Sequence, residues 1–468
     1  MTDGTTRPGG NAAHGEAHFA AARREAAAYW NELLHGVADQ DALIEGFLDV
    51  QRERGLWHGE RPLCSVVRPR LIAAAEMVAE EQAVALLASA MDKVVDRVLA
   101  DDALRSSQLG HFDEWAADVL ALEPVRRRRR TILRFDSFLS DDGLHYVEVN
   151  GDIPMGTQSN DGLVRIMQEL PFYPAFRDRF EVRPALANPG VGAALVNAWR
   201  DEGGVATPRI CILTYPGGLE DQNAQHNVRV LRIAGFDVTH AYAEDLDFSG
   251  GKLRAGGRVV DVVYRALRVF DCLERRDELE PLFAAVRQDA VCMVNPFRSA
   301  VVSNKSLFAL LTDPSCDFGF TAGEEQAVRA HVPWGRTLRD AASTGPAGEP
   351  VDLVEYVLAH KDDLVLKPAH EAGGAGVTLG WTLDASAWEA AVTAGLEVDS
   401  VVQRRVGVAV SDYPVLEPGF PVEKFFEDTD PFLFPHGYVA VLNRISSAEI
   451  TNVSRGGSIV PTFVIEPA

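Results

Sequence analysis

Between Leu71 and Ala100, apolar side chains recur at three- and four-residue steps: Leu71, Ala75, Val78, Leu87, Met91, Val94, Val95 and Val98, with Glu76, Glu80, Glu81, Asp92 and Lys93 between them. This period predicts a helix whose apolar stripe belongs to a core. The helical signal runs from Phe19 to about Leu120, giving a helical region over 19–125. Before it, residues 1–18 are rich in Gly, Ala and Thr without periodicity and read as a mobile tail.

After Arg130 the pattern changes to short strands alternating with helices. A hairpin segment occupies 126–200. Over 201–300, the apolar run Arg209–Thr214 leads through Pro216-Gly217-Gly218 into a helical stretch ending at Ala234-Gly235. Strand-like runs then return at Phe236–Ala241 and Val259–Tyr264, the order of an open α/β sheet. A further α/β region fills 301–400, where Asp384 and Ser386 offer helix caps before Trp388–Ala394. The remainder, 401–468, holds the strand Val401-Val402-Gln403 and a strand-rich stretch from Tyr438 to Ile465. The expected fold class is therefore α/β, with α+β lobes.

Charge narrows the function. Lys and Arg number 45 against 68 Asp and Glu, a formal net charge of −23, which disfavours nucleic acid as a partner. The run Arg126–Arg130 reads as a solvated edge offsetting the acidic surface. No stretch approaches the ~18 uncharged apolar residues of a membrane span, and the N-terminal residues lack the apolar core of a signal peptide. Five widely spaced cysteines without a C-x-x-C fit reduced thiols. Together these features predict a cytoplasmic protein without membrane partners.

The segment Leu133–Gly151 carries the most chemistry. Two strand-like runs flank Ser140-Asp141-Asp142-Gly143, which suggests a three-residue loop with Gly143 in the left-handed position. That register sets Arg134 opposite Asn150, Phe135 opposite Val149, and Asp136 opposite Glu148. Directly opposed carboxylates repel unless positive charge lies between them. Asp136, Glu148 and Asn150 offer only hard oxygen ligands, suited to Mg²⁺ or Mn²⁺. A solvated hairpin face neutralised by Arg134 is the alternative.

Further along, Leu364-Val-Leu-Lys367-Pro368 reads as a strand, followed by a loop containing Gly373, Gly374 and Gly376. A strand lysine under a glycine-rich flap can neutralise polyphosphate while backbone N–H groups close over it. No P-loop sequence is present. Lys305, in Ser303-Asn-Lys305-Ser, is either a second phosphate lysine or an ordinary exposed lysine at a helix start.

These segments, with Gln403 and with Asn452-Val-Ser-Arg-Gly456-Gly457, together resemble the ATP-grasp superfamily. The metal-type strand precedes the lysines here, an order that resembles the circularly permuted branch, including the synthetase domain of glutathionylspermidine synthase. The resemblance implies two lobes clasping ATP, with a Rossmann-like substrate domain and an N-terminal helical region. It implies that Asp136, Glu148 and Asn150 hold Mg²⁺ or Mn²⁺ and that Arg134 steadies the transferring phosphoryl group. It further implies that Lys305 and Lys367 hold phosphates beneath the loop Gly373–Gly376, and that Arg444 and Asn452 complete the phosphate site. Gln403 stands near the hinge where an acidic residue is common, and Arg404 and Arg405 follow it.

Such enzymes join a carboxylate to an amine by way of an acyl phosphate, so small-molecule carboxylate and amine substrates are expected, and a homodimer is compatible with this reading. An ATP-dependent phosphotransferase shares every phosphate and metal residue, and a nucleotide-binding scaffold without turnover is a third reading. In the Rossmann-like part, Glu220–His226 follows the glycine turn and is the candidate for substrate contact.

Overall fold

In the computed structural model, the residues described are 10–112, 117–118, 122, 132–140, 143–371, 373–437 and 439–466. The basic run 126–130 and the turn residues Asp141 and Asp142 lie outside them. Helix α1 (Gly10–His35) begins within the segment expected to be a tail. Helix α2 (Gln40–Glu53) starts at Asp39, whose carboxylate accepts the Ala42 N–H.

Strand β1 (Arg70–Ala73) corrects the helix expected from Leu71, for helix α3 (Ala74–Ala100) begins only after it. Pairing with the C-terminal strand outcompetes local helix preference there, because it satisfies the backbone and buries Leu71 and Ile72. The phase of α3 shifts accordingly. Val78 is 47 % exposed, while Met77, Val84, Leu87, Met91, Val94, Val95 and Val98 form the buried stripe. That stripe packs against Phe135, Tyr146 and Val149, the core side of the hairpin made by β2 (Leu133–Ser140) and β3 (Gly143–Asn150). Helix α4 (Thr157–Gln168) follows.

The Rossmann-like part contains β4 (Arg209–Leu213), α5 (Gly218–Ile233), β5 (Asp237–Ala241), β6 (Val262–Arg265) and β7 (Cys292–Val294). These strands form a parallel sheet in the order β7-β6-β4-β5. Just past β7, Asn295 donates to the Ile132 and Gly151 carbonyls and accepts the Ile132 N–H, each at 2.8 Å. One buried amide thus fixes both ends of the hairpin to this sheet.

Helix α6 (Lys305–Leu310), β8 (Gly335–Thr337), β9 (Leu364–Pro368), α7 (Ala385–Glu397) and β10 (Ser400–Arg404) come next. Asp384 caps α7 through the Ala387 N–H, as the sequence suggested. Strands β8, β10 and β9 and the short strand Thr378–Leu379 make a four-stranded antiparallel sheet. The chain closes with β11 (Val410–Pro414), β12 (Val422–Leu433), β13 (Val439–Ser446), β14 (Ser458–Val460) and β15 (Thr462–Glu466). Six strands form the large sheet in the order β14-β13-β12-β2-β3, with β11 also paired to β12. Among the described residues, no helix is long and apolar enough to cross a membrane.

Candidate functional site

The hairpin register places Arg134 opposite Asn150, Phe135 opposite Val149, and Asp136 opposite Glu148, as the sequence implied. Toward the turn the register differs. A bulge after Asp136 shifts the pairing so that Ser137 meets Tyr146 and Ser140 meets Gly143, leaving two residues between the strands where three were expected. The bulge absorbs the extra residue, and the functional pairs keep their register beyond it.

On its other side β2 meets β12. Phe138 faces Asp428 and Arg134 faces Phe432, so the same register sets Asp430 across from Asp136. Three carboxylates, Glu148, Asp136 and Asp430, thus cross adjacent strands in one row. Guanidinium groups balance them. Arg134 Nε lies 2.9 Å from Asp136 Oδ1. From β13, Arg444 reaches Asp136 at 3.0 Å, Asp428 at 2.7 Å and Asp430 at 2.9 Å. Burial would raise the pKa of Asp136, yet Arg134 and Arg444 override it and hold the carboxyl well below the usual range. Burial dominates at Asp430, whose pKa is pushed well up. Asn150 donates its amide to Asp136 at 2.9 Å.

The lysines arrive from helix α6 and from strand β9 of the four-stranded sheet. Lys305 opens α6, whose Asn304 cap accepts the Ser306 N–H, and its own backbone N–H bonds the Ala369 carbonyl at 2.8 Å. This ties the start of α6 to the chain just past Lys367. Lys305 Nζ lies 3.4 Å from Glu148 and 2.6 Å from the Glu371 carbonyl. Burial lowers the Lys367 ammonium to about 8, with Glu148 opposing the shift. Its Nζ donates to Gln403 Oε1 at 2.7 Å, and Gln403 Nε2 reaches the Val147 carbonyl at 3.3 Å. Gln403 therefore orients Lys367, and both ends of its amide are engaged. Asp136, Glu148, Asp428 and Asp430 thus lie among Arg134, Arg444, Lys305 and Lys367, and because burial disfavours the charged forms of Asp428 and Asp430, negative charge does not exceed positive in this cluster.

A cavity of about 320 Å³ lies between the two sheets. Asp136, Glu148, Lys305, Lys367, Gly374, Gln403, Arg444 and Asn452 line it. Arg134 and Asn150 do not; they stand behind Asp136 and reach the cavity through it. Of the loop glycines, only Gly374 is on the wall. Gly373, Gly374 and Gly376 all have positive φ, and a Cβ on Gly374 would come within 2.9 Å of Asn452 Oδ1. The glycine loop and the Asn452 loop therefore meet over the cavity.

Sequence reading missed several wall and support residues. Asp428 and Asp430 alternate along β12, a legible signal in Glu427-Asp-Thr-Asp430, but their partner Arg444 comes from another strand. Trp381, Arg405 and Glu449 also gather at the wall. Arg405 lies 3.9 Å from the Trp381 ring centre, and Trp381 Nε1 donates to Glu449 at 3.0 Å. The second of the two arginines after Gln403 thus stacks on an indole.

No family model matches the chain, and no curated protein matches it in sequence. A glutathione synthetase-like effector from Globodera pallida, in its apo form, is similar in structure, with a TM-score of 0.54 at 13% identity, covering 92% of this chain and 98% of that one. The fold is ATP-grasp-like. A putative gamma-glutamylcysteine synthetase from Methylobacillus flagellatus overlaps more loosely, with a TM-score of 0.40 and 11% identity over 80% of this chain and 87% of that one. The cavity takes its lining from both the four-stranded and the six-stranded sheet.

Among the described residues, no group of three or more His, Cys, Asp or Glu side chains is arranged to hold a metal. The hard oxygen donors gathered on the hairpin are two carboxylates and an amide. Asp136 and Glu148 are opposed, Asn150 is beside them, and Glu148 is on the cavity wall.

Proposed function

We propose that this chain is an ATP-dependent carboxylate–amine ligase that works through an acyl phosphate and releases ADP and phosphate. The observation that carries this reading is the convergence of Lys305 and Lys367 with the opposed Asp136 and Glu148 on one cavity under a glycine loop. Val365, Leu379, Val406 and Ile450 line the same cavity and suit a purine, while the charged residues suit its phosphates.

The reaction needs charge placed, and little else from the protein. Lys367, aimed by Gln403, and Lys305 balance the phosphates. Arg444, fixed by three carboxylates, offers a guanidinium where negative charge spreads during transfer. Arg134 is better placed to orient Asp136 than to touch the phosphoryl group. Bound by Asp136, Glu148 and Asn150, Mg²⁺ would neutralise phosphate oxygens. A carboxylate oxygen of the substrate attacks the terminal phosphorus as the bond to ADP breaks. The amine then attacks the acyl carbon, phosphate departs and the nitrogen loses a proton. The loop bearing Gly373, Gly374 and Gly376 excludes water, which would otherwise consume the acyl phosphate.

Substrate is assigned to the carboxyl ends of the parallel strands, where open α/β sheets bind ligands. There Asp221, at the start of α5, accepts the Gly217 N–H at 3.0 Å and lies 3.3 Å from both His240 Nε2 and Tyr242 Oη. His226, on the same helix, is lowered by burial to about 4 and is neutral at physiological pH.

A screen of amino acids and small carboxylates with amine acceptors, read by ADP release, tests the proposal. ADP formation that requires both substrates supports it. AMP with pyrophosphate, or a stable phosphorylated product that no amine consumes, contradicts it, the latter in favour of the phosphotransferase.

A further inference from the structure

The wall of the cleft contains a competition between cations that follows from the Lys305–Glu148 pair. Asp136 has both oxygens committed, Oδ1 to Arg134 and Asn150 and Oδ2 to Arg444. Glu148 is the less committed carboxylate of the expected metal set, and its neighbouring cation is Lys305, 3.4 Å away. The Lys305 side chain is only 11 % exposed and is braced by the Glu371 carbonyl, so its ammonium is held beside Glu148 on the cavity wall.

We propose that Lys305 is a nucleotide-operated gate on the metal site: it occupies the flank of Glu148 until polyphosphate draws it away, and only then does Glu148 accept a divalent cation. This rests on the nucleotide-binding reading above and adds an order to it. The charges explain the order. A bare Mg²⁺ would bring two positive charges into a cluster whose carboxylates already have cationic partners, beside the ammonium groups of Lys305 and Lys367, where screening by water is incomplete. Polyphosphate brings compensating negative charge together with a better partner for Lys305. Metal entering with nucleotide is favoured, and metal entering alone is not.

The test measures Mn²⁺ binding to nucleotide-free protein by electron paramagnetic resonance, with no reliance on turnover. Wild type should bind Mn²⁺ weakly. Lys305→Met, which keeps the apolar stem and removes the charge, should bind about tenfold more tightly. The double variant Lys305→Met with Glu148→Gln should lose that gain, which locates the ion at Glu148. Equal Mn²⁺ affinity in wild type and Lys305→Met, or a gain that survives Glu148→Gln, overturns the gate. Thermal melts of all three proteins establish that each is folded. ATP binding to wild type is measured separately by calorimetry, and its failure would overturn the nucleotide reading itself.

Discussion

Asp136 and Glu148 face each other across adjacent strands of one sheet, and each is held by a cation from a distant part of the chain, Arg444 for the first and Lys305 for the second. Opposed carboxylates in a half-buried sheet would destabilise the pair if left alone. Their retention beside matched cations makes sense in a site that exchanges those cations for a substrate's charges.

Arg444 has the largest structural share of this arrangement. Replacing it with Met leaves Asp428, Asp430 and Asp136 short of a buried partner, and urea denaturation at neutral pH should show a loss of about 3–5 kcal/mol. The loss should shrink as pH falls, because protonation removes the unpaired charge. A loss below about 1 kcal/mol would mean that the triad does not depend on Arg444.

Glu148 is part of the cavity wall and lies outside the main core, so Glu148→Gln should leave the thermal midpoint unchanged. Mg²⁺-dependent ADP formation should drop by about 100-fold or more. Wild-type ADP formation in this variant would show that the metal ligands are misassigned.

Lys367 titrates near pH 8 because burial disfavours its charge. Only the protonated form attracts phosphate, so ATP affinity measured by calorimetry should fall as pH rises from 7 to 9. Lys367→Met should bind ATP about 10- to 100-fold more weakly at pH 7 and show a flatter pH profile. Identical profiles in the two proteins would remove Lys367 from the phosphate site.

Gly376 has φ +69°, and an added Cβ would lie 2.6 Å from Pro368 Cγ. Gly376→Ala should therefore strain the loop by about 1–2 kcal/mol and hinder its closure. The expected readout is slower ligation together with a larger fraction of ATP hydrolysed without product. Unchanged coupling would mean that the loop does not exclude water.

Periodicity and alternation made some of this legible. The pairing of Asp136 with Glu148 followed from counting along a hairpin, because side chains alternate strictly on a strand. Lys367 was visible as a charge ending an apolar strand before glycines. Elsewhere the decisive partner lay far along the chain. Leu71 belongs to a strand because residues near 464 pair with it, and nothing local announces that. Asp428 and Asp430 were visible only as alternating acids until β12 was found beside β2. Gln403 stood at the expected position, but its engagement with Lys367 depends on the pairing of β9 with β10.

An acyl phosphate separates the proposed ligase from an adenylating enzyme, and oxygen transfer reads it out. With the carboxylate substrate found by the ADP screen labelled with ¹⁸O, attack on the terminal phosphorus places a carboxylate oxygen in the phosphate that is later released. Inorganic phosphate should carry one ¹⁸O for each amide formed, and ADP should be unlabelled. Label appearing in AMP, or unlabelled phosphate accompanying labelled amide, would contradict it.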